Sequence, residues 1–180
     1  MDFDCDQKNS VHFFYTLPFS KNKALIETTW LSNMKDPSEK DYDFQIKEYI
    51  ENILKIKNYK IIYKEKGQIP LFYPTNLNGK KKINIGTAGK MTRLSTGYTF
   101  LNIQEHCKYI VKNLDNLKTY NIGKKYEILD KIFLKVLKRN AKRMPNIFFE
   151  IFNSSAETSV KFLSNKSNIF QDLSIISKMP

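Results

Sequence analysis

Two short stretches of the chain hold residue types that chemistry needs. In Ala24-Leu25-Ile26-Glu27-Thr28-Thr29-Trp30 a single carboxylate interrupts an apolar and β-branched run. A carboxyl held in apolar surroundings keeps its proton toward neutral pH and can serve as a general acid or base. On a half-exposed sheet the same Glu27 is only a solvated charge, because carboxylates are almost never fully buried unless paired. The second stretch is Ile83 to Leu114, where Ile83 and Ile85 lead through Gly86, Thr87, Ala88 and Gly89 into a helix expected to start between Ser95 and Tyr98. A helix start leaves backbone N–H groups without partners and carries partial positive charge, so it can hold an anion or an electron-rich ring edge, with Ser95 or Thr96 as its cap. A phosphate-cradling P-loop is excluded, because Gly86 and Gly89 stand too close together and Met91 follows Lys90 where Ser or Thr is required. The plainer alternative is that the small residues let a helix pack closely on a strand.

Other chemistries find little support. Cys5 and Cys107 form neither a disulfide framework nor, with His12 and His106 scattered, a zinc cluster. No apolar run approaches the roughly 18 residues of a membrane-spanning helix, and the acidic start Met1-Asp2-Phe3-Asp4 is unlike a signal peptide. A soluble or membrane-peripheral, cytoplasmic protein is expected. The net charge of +12 favours an anionic partner such as nucleic acid, an acidic membrane surface or a phosphorylated ligand. Against nucleic acid stand the few arginines and the absence of a helix-turn-helix or RNP-like pattern.

The elements that must position these residues can be read from periodicity. Val11 to Leu31 forms two β-rich runs around Ser20-Lys21-Asn22-Lys23, a hairpin with Pro18 at a strand end or edge. Alternation places Leu25, Glu27 and Thr29 on one face, and Ala24, Ile26, Thr28 and Trp30 on the other. Asp36-Pro37-Ser38 reads as a loop, and Ile46, Tyr49, Ile50, Ile53 and Leu54 mark a helix over 42–57. A strand through Ile61, Ile62 and Tyr63 follows, then a short one ending at Pro70 and a lysine-rich surface turn over 76–82. Gly123 breaks the chain, and amphipathic basic segments come after it at 126–139, from Met144-Pro145, and around Phe162-Leu163 and Leu173-Ile176.

Several of these motifs resemble the lycopene cyclase family of flavoproteins over essentially the whole chain. The likeness lies in Leu25-Ile26-Glu27-Thr28-Thr29, with Thr28 where a second acid usually stands, and in Glu65-x-Gly67-x-Ile69-Pro70. It continues in the run from Gly86 to Tyr98 and in the Met144-Pro145 and Val160 to Ser164 segments. The resemblance implies an α+β fold: an antiparallel substrate-domain sheet, a strand-helix element of an incomplete FAD-binding domain, and a helical C-terminal tail. The corresponding ranges are 1–82, 83–115 and 116–180. It implies cyclisation of the linear end groups of lycopene to β-ionone rings, with Glu27 as catalytic acid-base residue. FAD, reduced by NADPH, would be held at Gly86, Thr87, Ala88, Gly89, Ser95, Thr96, Gly97 and Tyr98, across an apolar cleft from Glu27. Phe14, Phe19, Trp30 and Phe72 would line the carotenoid. The chain corresponds to the second half of such an enzyme and lacks the G-x-G-x-x-G fingerprint that binds the ADP part of FAD. The first half is therefore expected on a missing or separate polypeptide. The basic tail becomes a surface for an anionic membrane, in which the carotenoid dissolves. The alternatives are another oxidoreductase of the same flavoprotein superfamily, such as a prenyl reductase or monooxygenase, and a basic nucleic-acid-binding module.

Overall fold

The computed structural model describes residues 1–8, 10–32, 41–73, 78–79, 82–114 and 122–180. The loop expected at Asp36-Pro37-Ser38 lies outside the described residues, as does most of the turn over 76–82. Two compact units succeed one another along the chain, Met1–Lys66 and Gly67–Pro180.

In the first unit β1 (Val11–Ser20) and β2 (Lys23–Leu31) form the expected antiparallel hairpin around Lys21 and Asn22. A register shift between Pro18 and Ser20 marks a bulge at Phe19, and Pro18, which has no N–H for the ladder, sits beside that irregularity. The pairing fixes the faces: His12, Phe14, Thr28 and Trp30 lie on one, and Phe13, Tyr15, Glu27 and Thr29 on the other. Helix α1 (Tyr42–Glu48) continues as a wider π-turn, Tyr49–Ile53, and so ends short of the expected Lys57. It covers the first face, where Tyr49 stacks on Phe14 at 4.0 Å and Trp30 Nε1 donates to Gln45 Oε1 at 2.9 Å. His12 stacks on Trp30 at 4.0 Å, with Nδ1 2.9 Å from Asp6 O and Nε2 2.7 Å from Thr28 Oγ1. Because the Asp6 carbonyl can only accept, Nδ1 carries the proton. On the opposite face Phe3 packs against Phe13 at 5.4 Å, while Asp2 bridges Phe14 and accepts from Tyr49 Oη at 2.6 Å.

The strands expected around Ile61 to Tyr63 and before Pro70 are not formed. Ile61, Ile62 and Tyr63 are about two-thirds exposed, each between 64% and 66%. High β-propensity describes fit to a pleated, half-buried surface, and without a neighbouring edge these residues have no ladder to join.

The second unit begins with a two-residue antiparallel pair, β3 (Asn78–Gly79) and β4 (Lys82–Ile83), followed by a 3₁₀ turn at Gly86–Gly89. Five helices follow: α2 (Phe100–Lys112), α3 (Lys124–Arg139), α4 (Met144–Phe152), α5 (Ala156–Leu163) and α6 (Ile169–Ile176). Their ends follow local rules. Gly123 is the N-cap of α3 and Pro145 occupies the first turn of α4, where its missing N–H costs nothing. The Ser155 side chain caps α5, and Asn168 with Gln171 forms a capping box on α6. Met91, Met144, Ile147, Phe148, Ile151, Phe162 and Ile175 make the core, and Lys125 ties α6 to α3 through Asp172 at 2.6 Å. Ile132 of α3 is exposed. A two-stranded hairpin with six helices among the described residues is an α+β architecture, as expected.

Candidate functional site

Glu27 stands in the middle of β2 directly across from Tyr15 and is exposed. Thr29 Oγ1 donates to its Oε1 at 3.0 Å, which leaves Oε2 for exchange with a ligand. The Tyr15 hydroxyl is pushed above the usual phenol range by burial and, secondarily, by the Glu27 charge. Tyr15 also meets Phe13 edge-on at 5.1 Å, so the rings beside Glu27 are Tyr15 and Phe13. The hairpin does not bring the four expected substrate residues to the carboxylate. Phe14 and Trp30 occupy the opposite face under α1, Phe14 only 2% exposed and stacked on Tyr49, because one step along a strand reverses the side chain. Phe19 projects into solvent beside the bulge, and Phe72 is exposed in the second unit. Tyr15 could have been found by applying the period of two to both strands and pairing them across the turn.

The expected cofactor stretch lies in the second unit, and much of its side-chain chemistry turns inward. Helix α2 begins at Phe100 with Thr99 as N-cap, so neither Ser95 nor Thr96 caps it as expected. Ser95 is buried and donates to Asp130 Oδ1 at 2.7 Å, while Thr96 Oγ1 accepts the Tyr98 N–H at 3.3 Å. Thr87 accepts from Thr92, whose hydroxyl also lies 3.0 Å from that of Thr99. Gly89 is a packing glycine: a Cβ there would stand 2.4 Å from Asn84 O. Ala88 is exposed at the surface of the 3₁₀ turn, and Gly86 uses a left-handed φ of +62°. Gly97, at φ +71°, is the exception, since nothing lies within 4 Å of where its Cβ would be.

Beneath this turn is a polar cluster that periodicity did not reveal. Arg93 and Asp130 are both 0% exposed and pair through Nη2 at 2.7 Å and Nε at 3.0 Å, while the Leu94 N–H donates to Asp130 Oδ2 at 2.8 Å. Arg93 reads in sequence as one of 30 basic residues, and Asp130 lies 37 positions away on a lysine-rich helix, so neither carries a local signal. Tyr73 was also missed. Its buried hydroxyl has no hydrogen-bond partner among the described residues and is pushed up to about 12 by burial, with the Asp130 and Glu127 charges adding to it. His106, buried on α2, is held below the usual imidazole range by desolvation.

A hairpin bearing one carboxylate beside aromatic rings, in the first unit, and a glycine turn ahead of a helix start without a side-chain cap, in the second, are the candidate chemical features of the chain. The chain belongs to the lycopene cyclase family: the family model described as lycopene cyclase protein matches residues 1–180, the whole chain. Membership supports a carotenoid cyclase-like function and a carotenoid substrate. No curated protein and no solved structure matches the chain.

Proposed function

We propose that this protein cyclises the linear end groups of lycopene to β-ionone rings, with Glu27 as the acid-base residue. The observation that carries the reading is the match of the whole chain to the family together with the place of Glu27, the one carboxylate on either hairpin strand. Cyclisation adds a proton to a terminal double bond, closes a six-membered ring onto the resulting cation, and removes a different proton. Glu27 Oε2 is the site of proton exchange, and an apolar polyene laid over it excludes water and raises the proton affinity of the carboxyl. The Tyr15 ring, across the strand, offers a π-face worth about 0.5–2 kcal/mol to a nearby cation.

The residues of the second unit fit a flavin through backbone rather than side chains. The first turn of α2 has no side-chain cap, and the outer side of Gly97 is open, so the uncapped amides at the start of that helix are the ones that the electron-rich edge of an isoalloxazine ring would meet. Reduced FAD, when bound, supplies negative charge that steadies a carbocation in a redox-neutral reaction. Gly86 to Gly89 and Thr96 to Tyr98 hold that ring, and Ser95 supports them from below. The 180 residues contain no glycine fingerprint for the ADP half of FAD, so the reading assigns that half to other polypeptide.

In a lycopene-accumulating host, with the FAD-binding sequence present, the Glu27→Gln enzyme is expected to bind flavin and form no cyclic carotene. A general acid contributes about 10²–10⁴ in rate. Undiminished cyclic product from Glu27→Gln refutes the assignment, and reduced acyclic or hydroxylated products from the unaltered enzyme favour the superfamily alternatives.

A further inference from the structure

We propose that Asp130 and Arg93 are positioning residues for the Thr96-Gly97-Tyr98 turn, fixing it from beneath in the shape that keeps the outer side of Gly97 open to an anionic or electron-rich ligand beside the uncapped start of α2. The identity of that ligand rests on the function proposed above; the positioning does not.

Asp130 grips three consecutive residues. Its carboxylate accepts from Arg93 Nε at 3.0 and 3.2 Å and from Nη2 at 2.7 Å, from the Leu94 N–H at 2.8 Å and from the Ser95 hydroxyl at 2.7 Å. Arg93 is held at its other end too, where Nη1 donates to Phe162 O at 2.6 Å and to Asn165 Oδ1 at 3.2 Å. The Tyr126 and Phe162 rings lie 4.9 and 4.8 Å from the guanidinium carbon. The backbone of this same anchored residue closes the turn: the Arg93 N–H donates to Tyr98 O at 2.9 Å, and the Gly97 N–H donates to Arg93 O at 2.8 Å. Both closing bonds therefore run to the residue that Asp130 immobilises. Where a Gly97 Cβ would stand, the turn is open, with nothing within 4 Å.

Stability alone gives no reason for this arrangement. Desolvating two charges costs as much as their attraction returns, and apolar replacement of a buried pair is often neutral or stabilising. What the pair provides is a single conformation for three residues that precede a glycine in the left-handed region, which is the requirement of a preorganised ligand cradle.

The test is amide hydrogen exchange on the full chain together with quenching of FAD fluorescence in the presence of the FAD-binding sequence. An Arg93→Met/Asp130→Leu double variant leaves no stranded charge. It is expected to keep its far-UV dichroism and the slow amides of α3, while the Arg93 and Gly97 amides exchange about tenfold faster or more, the loss of one charge-assisted hydrogen bond. FAD affinity is expected to fall by a similar factor. A folded double variant whose Arg93 and Gly97 amides stay as slow as in the unaltered chain overturns the proposal. Should the double variant not fold, Ser95→Ala removes one Asp130 contact without exposing a charge; it must speed the same two amides, and unchanged rates are again fatal. If the unaltered chain, with the FAD-binding sequence present, does not quench FAD, the ligand assignment fails while the amide rates still decide the positioning role.

Discussion

Alanine substitutions at Gly89 and Gly97 separate a glycine that packs from one that keeps a surface open. At Gly89 the backbone is not left-handed, so alanine pays no conformational penalty, but its Cβ would stand 2.4 Å from Asn84 O and 2.9 Å from Asn84 C. Met91 Cε, also at 2.9 Å, can swing aside; the Asn84 peptide cannot without disturbing the Gly89 N–H to Ile85 O bond of 3.2 Å. Overpacking of about 1–3 kcal/mol and a weakened hydrogen bond of about 0.5–1.5 kcal/mol put Gly89→Ala at about 2–4 kcal/mol. At Gly97 the sign of φ is the whole cost, about 1–2 kcal/mol, reduced by about 0.4–1 kcal/mol because alanine restricts the unfolded chain. With a midpoint shift of about 2–4 °C per kcal/mol, Gly89→Ala should lower Tm by about 4–16 °C and Gly97→Ala by no more than about 6 °C. Thermal unfolding followed by circular dichroism measures both. The FAD titration then ranks them in reverse, because only at Gly97 does the new methyl enter the open side. A Gly97→Ala protein less stable than Gly89→Ala would refute the steric argument.

Three further outcomes follow from the same geometry. Burial holds His12 below the usual imidazole value of about 6.5, so beneath that pH the unfolded chain takes up a proton that the folded one refuses. Stability is therefore flat above about 6.5 and falls on acidification, with buried His106 acting in the same direction; a urea midpoint unchanged between about pH 7.5 and 5.5 would contradict this. Phe14→Ala should cost about 3–5 kcal/mol and Phe19→Ala less than about 0.5 kcal/mol by chemical denaturation, since the first ring is stacked on Tyr49 and the second is 68% exposed. Finally, Ile169, Phe170, Leu173 and Ile176 leave an apolar stripe of α6 exposed, so a Phe170→Ser/Leu173→Ser protein should bind anionic liposomes more weakly; equal co-sedimentation would exclude α6 as the membrane-facing element.

How far the fold was legible depends on how local its causes are. Alternation around Lys21 and Asn22 predicts the hairpin because strand period and turn lie within 21 residues, and the helices after Gly123 carry their own caps and apolar stripes. Ile61 to Tyr63 have the composition of a strand, yet pairing is a property of a neighbour, and none of the described strands adjoins them. The helix start shows the same limit. Ser95 has the right residue type for a cap, but a carboxylate 35 positions away draws its hydroxyl inward, and the helix begins only at Phe100.

That displacement changes what the small residues from Gly86 to Gly97 accomplish chemically. With Ser95, Thr87 and Thr92 committed to internal hydrogen bonds, and the Gly97 and Tyr98 amides bonded to Arg93 O and Thr96 Oγ1, the proposed flavin contact falls to the uncapped amides at the start of α2. Peptide amides stay un-ionised through the ordinary pH range and cannot compete with Glu27 for the proton that cyclisation moves. In the function proposed above, recognition and proton transfer fall to different groups on different units, amides in Gly67–Pro180 and a carboxylate in Met1–Lys66. A loss of cyclisation in Glu27→Gln with unchanged flavin affinity, set against flavin affinity weakened about tenfold in the Arg93→Met/Asp130→Leu protein, is the pattern such a division requires. Variants that always lost both together would argue for one shared site instead.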